Sequence, residues 1–342
     1  MDLSIIMPYV NEWPQIAFTY RSIANELNAP GVDIDWEIVF VDNYCAEVEA
    51  QNVRPDEGHS RIILNKVSLP LYQPLPPDML AKVERQTGVF QSLAAINSQV
   101  KYVRYDEKLS HWNAKIKGVE AASGDVLLFL DAHVVPSVGS ICGMLDVYTD
   151  FNEACTFHLP LTYKVTDDRR LIYTLVYNKN IGEVHYTFSL AGTTNEIIEV
   201  PCMSTCGMMV SREVYNMMRG WPPELGIYGG GENFFNFTSA IMGVRKYIYS
   251  PGTLYHHGAK RSYRWNHLDY TRNRMLATYM FGGLEWLSIF LQGLITNGKV
   301  DGRTGRHMVN NLLALDGLLE RRDYYRSAAV TDIETYCERW LK

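Results

Sequence analysis

Two side chains able to bind a metal, Asp131 and His133, stand at the end of the apolar run Asp125-Val-Leu-Leu-Phe-Leu-Asp-Ala-His-Val134. On an extended backbone, residues i and i+2 point the same way, so this carboxylate and imidazole can reach one divalent ion at a strand's end. That geometry suits a metal holding a diphosphate. An Asp-x-His alone specifies little, because any buried strand can run into a polar turn. The residues before it add weight: Trp112 to Ala122 reads as a helix closed by Ser123-Gly124, giving the order helix, glycine stop, buried strand, acidic tip. A second constellation is Tyr228-Gly-Gly-Gly-Glu-Asn233. Its glycines permit close approach of the backbone to a ligand and present Glu232 at the start of a helix running from Asn233 to Met242. A carboxylate there is also stabilised by the helix dipole alone.

The elements that must carry these groups alternate. Leu3 to Met7 reads as a strand ending at Pro8, Trp13 to Leu27 as a helix, and Trp36 to Val41 as a buried strand ending at Asp42-Asn43. In a parallel sheet, ligands gather beyond the carboxyl ends of the strands. Pro8, Tyr9, Asn11, Glu12, Asp42 and Asn43 should therefore line one crevice, although Asn11 and Asp42 could equally serve as turn and cap residues. From Cys45 to Gly88 the chain is rich in proline and polar residues and reads as an irregular excursion. Period-two stretches between 155 and 190 predict further strands. Residues 271–342 read as helical, with a turn around Thr296 to Arg303.

With these motifs in place, the sequence resembles glycosyltransferase family 2 and, in its D-x-H and Gly-Gly-Glu-Asn forms, the polypeptide N-acetylgalactosaminyltransferases. The opening strand, proline and polar turn, with Asp42 after the second strand, resemble the donor half of that family over residues 1–135. The resemblance implies that Asp42 holds the nucleobase, that Asp131 and Ala132 meet the donor diphosphate, and that Asp131 and His133 bind manganese. Asn113-Ala-Lys-Ile-Lys-Gly118 is similar to the family's Ala-Arg-Asn-x-Gly, which puts Asn113 and Lys115 near donor phosphate at a helix N-terminus. Family members commonly supply a third metal ligand as a histidine after the glutamate, near a basic loop over the diphosphate. Here that implies His256, with His257 as the competing choice, and Lys260 and Arg261 as the loop cations. Glu232, with Asn233, occupies the catalytic place, where the family's acid deprotonates the acceptor hydroxyl. Tyr270-Thr-Arg-Asn-Arg274 resembles the family's Tyr-x-x-Arg-Asn; Arg272 either binds phosphate or ties the C-terminal helices to the sheet.

Composition bounds the rest. With 342 residues, an apolar fraction of 47% and an aromatic fraction of 12%, the chain can bury a large core. Its formal charge of −6 does not attract polyanions, so nucleic acid would need the local basic cluster from Lys260 to Arg274. Six cysteines lack zinc-site spacing and are expected as free thiols of a cytoplasmic protein with no signal peptide. The apolar stretch from Met275 to Ile295 is broken by the Gly282-Gly283 pair, Glu285 and Gln292. It is expected as a buried or docked helix rather than a span, with peripheral membrane contact left open.

The expectation is an α/β GT-A fold with a mixed, mainly parallel sheet. Residues 1–270 form the transferase domain, 1–135 its donor half and 136–270 its acceptor half, and 271–342 form a helical C-terminal extension. The expected activity is transfer of a hexose or N-acetylhexosamine from a nucleotide-diphospho-sugar, a UDP-sugar by preference, to a glycan hydroxyl, with Mn²⁺ or Mg²⁺. Glycosylation of a protein or a modified nucleic-acid base is the runner-up, and a non-catalytic nucleotide-sugar-binding relative the alternative class.

Overall fold

The computed structural model describes residues 1–10, 12, 15–51, 61–64, 67–70, 87–163, 169–191, 194–256 and 263–341. Asn11, His257, Lys260 and Arg261, and most of the proline-rich excursion, lie outside the described residues.

The chain opens with β1 (Leu3–Tyr9), α1 (Gln15–Leu27), β2 (Trp36–Asp42) and α2 (Ala46–Gln51). A small antiparallel pair follows, β3 (Arg61–Leu64) with β4 (Val67–Pro70), inside the stretch read as irregular. Next come α3 (Thr87–Ile96), β5 (Val100–Arg104), α4 (His111–Ala121) and β6 (Val126–Phe129). The middle of the chain holds β7 (Val134–Pro136), α5 (Ser140–Asp150), β8 (Cys155–His158), β9 (Leu161–Thr162) and the long strands β10 (Arg170–Asn178) and β11 (Glu183–Ala191). After β12 (Ile197–Glu199), β13 (Met208–Ser211) and α6 (Arg212–Met217) come α7 (Gly231–Ile241), β14 (Arg245–Tyr249) and β15 (Leu254–His256). The chain closes with α8 (His267–Thr296), α9 (Gly302–Leu313), α10 (Leu318–Ala328) and α11 (Ile333–Arg339).

Eight strands form the main sheet in the order β12-β14-β8-β13-β6-β1-β2-β5. The neighbours β6, β1, β2 and β5 are parallel, as expected of strands that feed crossover helices, and β13 runs antiparallel between β6 and β8. The residues of β1, β2 and β6 are all buried, because helices cover both faces. Their carboxyl ends, at Tyr9, Asp42 and Phe129, point to one edge of the sheet, where chain reversals leave a crevice. The architecture is a mixed, mainly parallel sheet flanked by helices, with a helical C-terminal region.

A second sheet of order β11-β10-β9-β15-β7 stands over that edge. Its β10–β11 ribbon pairs antiparallel from Arg170↔Ala191 to Asn178↔Glu183, and its other end joins β15 to β7. The C-terminal helices share the core of the main sheet: Met275, Leu287, Phe290, Leu312 and Tyr325 belong to the same buried cluster as Ile5, Phe40 and Leu128. The apolar stretch after Met275 lies in α8, whose helical dihedrals break at Gly283 (φ 72°, ψ −162°), and it packs inward through Tyr279, Trp286 and Phe290. Among the described residues, no helix is long and apolar enough to cross a membrane.

Candidate metal and donor site

Strand pairing brings the predicted ligands together. Asp131 and His133 lie between β6 and β7, and the antiparallel pairing of β7 with β15 sets His256 opposite Val134, one residue from His133. One ligand atom from each of Asp131, His133 and His256 falls within 4.8 Å of the others. His256 Nε2 is 3.8 Å from Asp131 Oδ2, and the two imidazoles meet edge to face with centroids 4.8 Å apart. His133 Nδ1 lies 2.7 Å from Glu12 Oε1. With Nδ1–H donating to that carboxylate, Nε2 keeps its lone pair for an ion, the arrangement by which a carboxylate orients a ligating histidine. One carboxylate and two imidazoles fit a transition ion better than magnesium, which asks for an octahedron of oxygens.

Glu12 thereby gains a task beyond lining the crevice: it also accepts from the Val10 amide at 3.2 Å, so it ties the end of β1 to the metal loop. Glu12→Gln is expected to weaken Mn²⁺ binding about 10- to 100-fold, the usual effect of losing such an outer partner. Calorimetric titration with Mn²⁺ checks this, and unchanged affinity would remove Glu12 from the site.

Burial pushes the Asp131 carboxyl up, but the bond to His256 and the charges of Lys115, His111 and His133 hold it well below the usual carboxylate range. Lys115 is fully buried beneath the site. Its ammonium donates to Thr205 Oγ1 (3.0 Å) and Thr205 O (3.3 Å) and lies over the rings of Trp112, Trp221 and Phe129. Burial lowers its pKa, against the attraction of Asp131 and Glu232. In place of the expected contact with donor phosphate, Lys115 lies buried behind the wall, where its one ammonium faces both carboxylates. The sequence could not separate these roles, since an amphipathic helix with a lysine near its start serves either.

Glu232 opens α7 and accepts from Thr205 Oγ1 at 3.4 Å. The glycines before it pack against the protein itself, not a ligand. A Cβ on Gly229 would strike the Tyr270 ring, one on Gly231 the Trp112 indole, and one on Gly230 would meet Asn273 Cβ at 2.6 Å and the Arg274 amide at 2.9 Å. Trp112 and Trp221 donate their indole N–H groups to the carbonyls of Gly229 and Gly231, and Asn273 donates to Gly229 O at 2.9 Å while accepting from the Gly226 amide. Asn273 is thus the member of the Tyr270–Arg274 segment that clamps the glycine loop. Arg272 turns to Glu224 O and Asp269, the structural one of its two expected roles. Because Gly230 also holds φ 72°, Gly230→Ala should cost about 2–4 kcal/mol of stability, readable as a lowered denaturation midpoint.

A cavity of about 300 Å³ joins these groups. Of the residues singled out in the sequence, Pro8, Tyr9, Glu12, Asn43, Asp131, Ala132, His133, Glu232 and His256 line it. Asp42, Asn113, Lys115 and Asn233 do not. Asp42 sits at the end of β2, but its carboxylate is engaged by Arg104 (2.7 Å), the Tyr102 hydroxyl (2.9 Å) and the Tyr44 amide (3.0 Å). Asn113 donates to Ser110 Oγ, Pro223 O and Leu225 O, and Asn233 is buried, donating to Val184 O. Both act as internal fasteners. Asn43, though it lines the cavity, fixes the loop before α4 through Tyr105 O, Lys108 O and the Ser110 amide. Sequence reasoning missed His111, the Ser204-Thr205-Cys206 segment, and an aromatic wall of Tyr163, Tyr173, Tyr186 and Phe188. The alternation of aromatic residues in β10 and β11 was the available signal for that wall.

Residues 87–218, which span α3 to α6 and include Asp131 and His133, match the family model for Glycosyl transferase family 2. The crystal structure of GalNAc-T7 with UDP, GalNAc and Mn²⁺ superposes with a TM-score of 0.66 at 13% identity, over 100% of this chain and 56% of that one. The chain thus spans little more than half the length of that transferase. The structure of S. aureus TarS 1–349 aligns with a TM-score of 0.47 at 11% identity, over 100% of this chain and 91% of that one. No curated protein matches the sequence. With a family 2 match over its central strands and a GT-A scaffold around them, the chain has the fold of the GT-A glycosyltransferases of family 2.

Proposed function

We propose that the protein is a metal-dependent glycosyltransferase that moves a hexose or N-acetylhexosamine from a UDP-sugar to a hydroxyl on a glycan. The convergence of Asp131, His133 and His256 on the floor of a cavity that also holds Glu232 carries this reading. Its support from comparison is the family 2 match and the likeness to a transferase whose structure contains UDP, GalNAc and Mn²⁺. A cytoplasmic location goes with it, in keeping with six free cysteines.

Manganese held by Asp131, His133 and His256 would supply positive charge for the leaving diphosphate. The protein's own groups do the remainder. Glu12 orients His133, Lys115 faces the two carboxylates from behind, and Glu232 Oε takes the proton from the acceptor hydroxyl as it attacks the anomeric carbon. The basic segment favours neither nucleic acid nor the donor among described residues, since Arg272 turns to Glu224 and Arg274 to Glu183 and the Phe290 ring. Calorimetry with UDP, with and without Mn²⁺ and with excess chelator, tests the reading. Binding of UDP that needs Mn²⁺ and is abolished by chelator is expected; UDP affinity indifferent to metal would overturn it.

A further inference from the structure

The β10–β11 ribbon puts Tyr186, Phe188 and Leu190 on one face of β11, since alternate strand residues share a face, and the register sets Tyr173 opposite Phe188. The three rings form one cluster: Tyr173 to Phe188 is 4.9 Å, Tyr173 to Tyr186 5.2 Å and Tyr186 to Phe188 6.4 Å between centroids. Exposure rises along it. Tyr173 is 5% exposed, while Phe188 is 51% and Leu190 53% exposed, and Tyr163, beside His256, is 45% exposed. Phe188 therefore packs one side on Tyr173 and offers the other at the cavity mouth. Half-exposed aromatics leading from a cavity mark a place where a ligand lies.

Resting on the function proposed above, we infer that this ribbon is the acceptor platform and that Phe188 selects a neutral carbohydrate whose flat C–H face stacks on its ring. The chemistry of the surroundings favours a sugar. A pyranose presents an apolar face ringed by hydroxyls, and here an apolar ring is flanked by the hydroxyl-bearing Tyr173 and Tyr186. Burial holds both phenols protonated, so they can donate as well as accept, and both sense the charge of Glu232. A sugar stacked on Phe188 thus has its inner edge toward the base that must deprotonate it. A peptide would instead pair with the outer edge of β11, yet it is the ring-bearing face, not that edge, that borders the cavity.

Binding with UDP and Mn²⁺ present tests this, using cellobiose, N,N′-diacetylchitobiose and lactose beside a serine- and threonine-rich decapeptide. At least one disaccharide is expected to bind, with its dissociation constant raised roughly tenfold by Phe188→Ala and restored by Phe188→Tyr. Leu190→Ser, which lies farther out and leaves the rings intact, should matter only for longer oligosaccharides. UDP binding by the same protein separates the two ideas: if UDP fails to bind, the transferase reading falls. If UDP binds but no disaccharide does, if Phe188→Ala leaves the affinity unchanged, or if only the peptide depends on Phe188, the carbohydrate platform is overturned.

Discussion

Asp131→Asn is expected to abolish Mn²⁺-dependent UDP binding and to lower sugar transfer by at least about 10³-fold. Asp131 is the one anionic member of the ligand trio, and neutral imidazoles alone do not offset the charge of a divalent ion. Asparagine keeps the side chain's size beside Cys206 and His256. It also removes charge facing the buried Lys115, which Glu232 still faces, so the fold should lose some stability without unfolding. The loss would then belong to the ion and not to unfolding, and an unaltered circular dichroism spectrum with silent Mn²⁺ calorimetry would show it. A variant that still bound UDP more tightly with Mn²⁺ than without would place the ion elsewhere.

How far the sequence revealed this centre depends on which contacts are local. Asp131 and His133 were legible because they stand two residues apart just after a buried strand, although the chain between them is a turn and not the extended backbone expected. His256 joins the candidate ligands only through the β7–β15 pairing, a long-range register that no periodicity encodes; resemblance supplied it instead. Asp42 shows the opposite case. Its place after β2 was readable, but the Arg104 and Tyr102 side chains that occupy its carboxylate come from β5, and strand adjacency is a tertiary fact.

The same limit explains the glycine run and Lys115. A glycine's lack of a Cβ is visible in sequence, yet whether the freed space is filled by ligand or by the protein's own Trp112, Tyr270 and α8 depends on packing between elements far apart in the chain. Lys115 lies on the helix face turned to the sheet, where a sequence pattern would place an apolar residue. Three aromatic rings and Thr205 make that place tolerable to an ammonium. Departures of this kind, where local preference is overruled, are expected at functional sites.

Glu232→Gln should separate chemistry from binding. Glutamine preserves the length of the side chain and can still accept from Thr205 Oγ1, so the start of α7 and the loop held by Trp112, Trp221 and Asn273 should persist. What is lost is the ability to take a proton from the acceptor. A positioned general base contributes about 10² to 10⁴ in rate, so kcat should fall by that factor while UDP affinity and the donor KM change by less than about threefold. Lys115 is bonded to the same Thr205 and is attracted by Glu232, so the carboxylate sits in a linked set in which one ammonium faces both Asp131 and Glu232. If Glu232 merely stabilised the helix dipole, the substitution would cost well under about 1 kcal/mol of stability and leave kcat unchanged. Single-turnover kinetics on the stable variant distinguishes the two, because only a proton acceptor slows the chemical step with donor already bound.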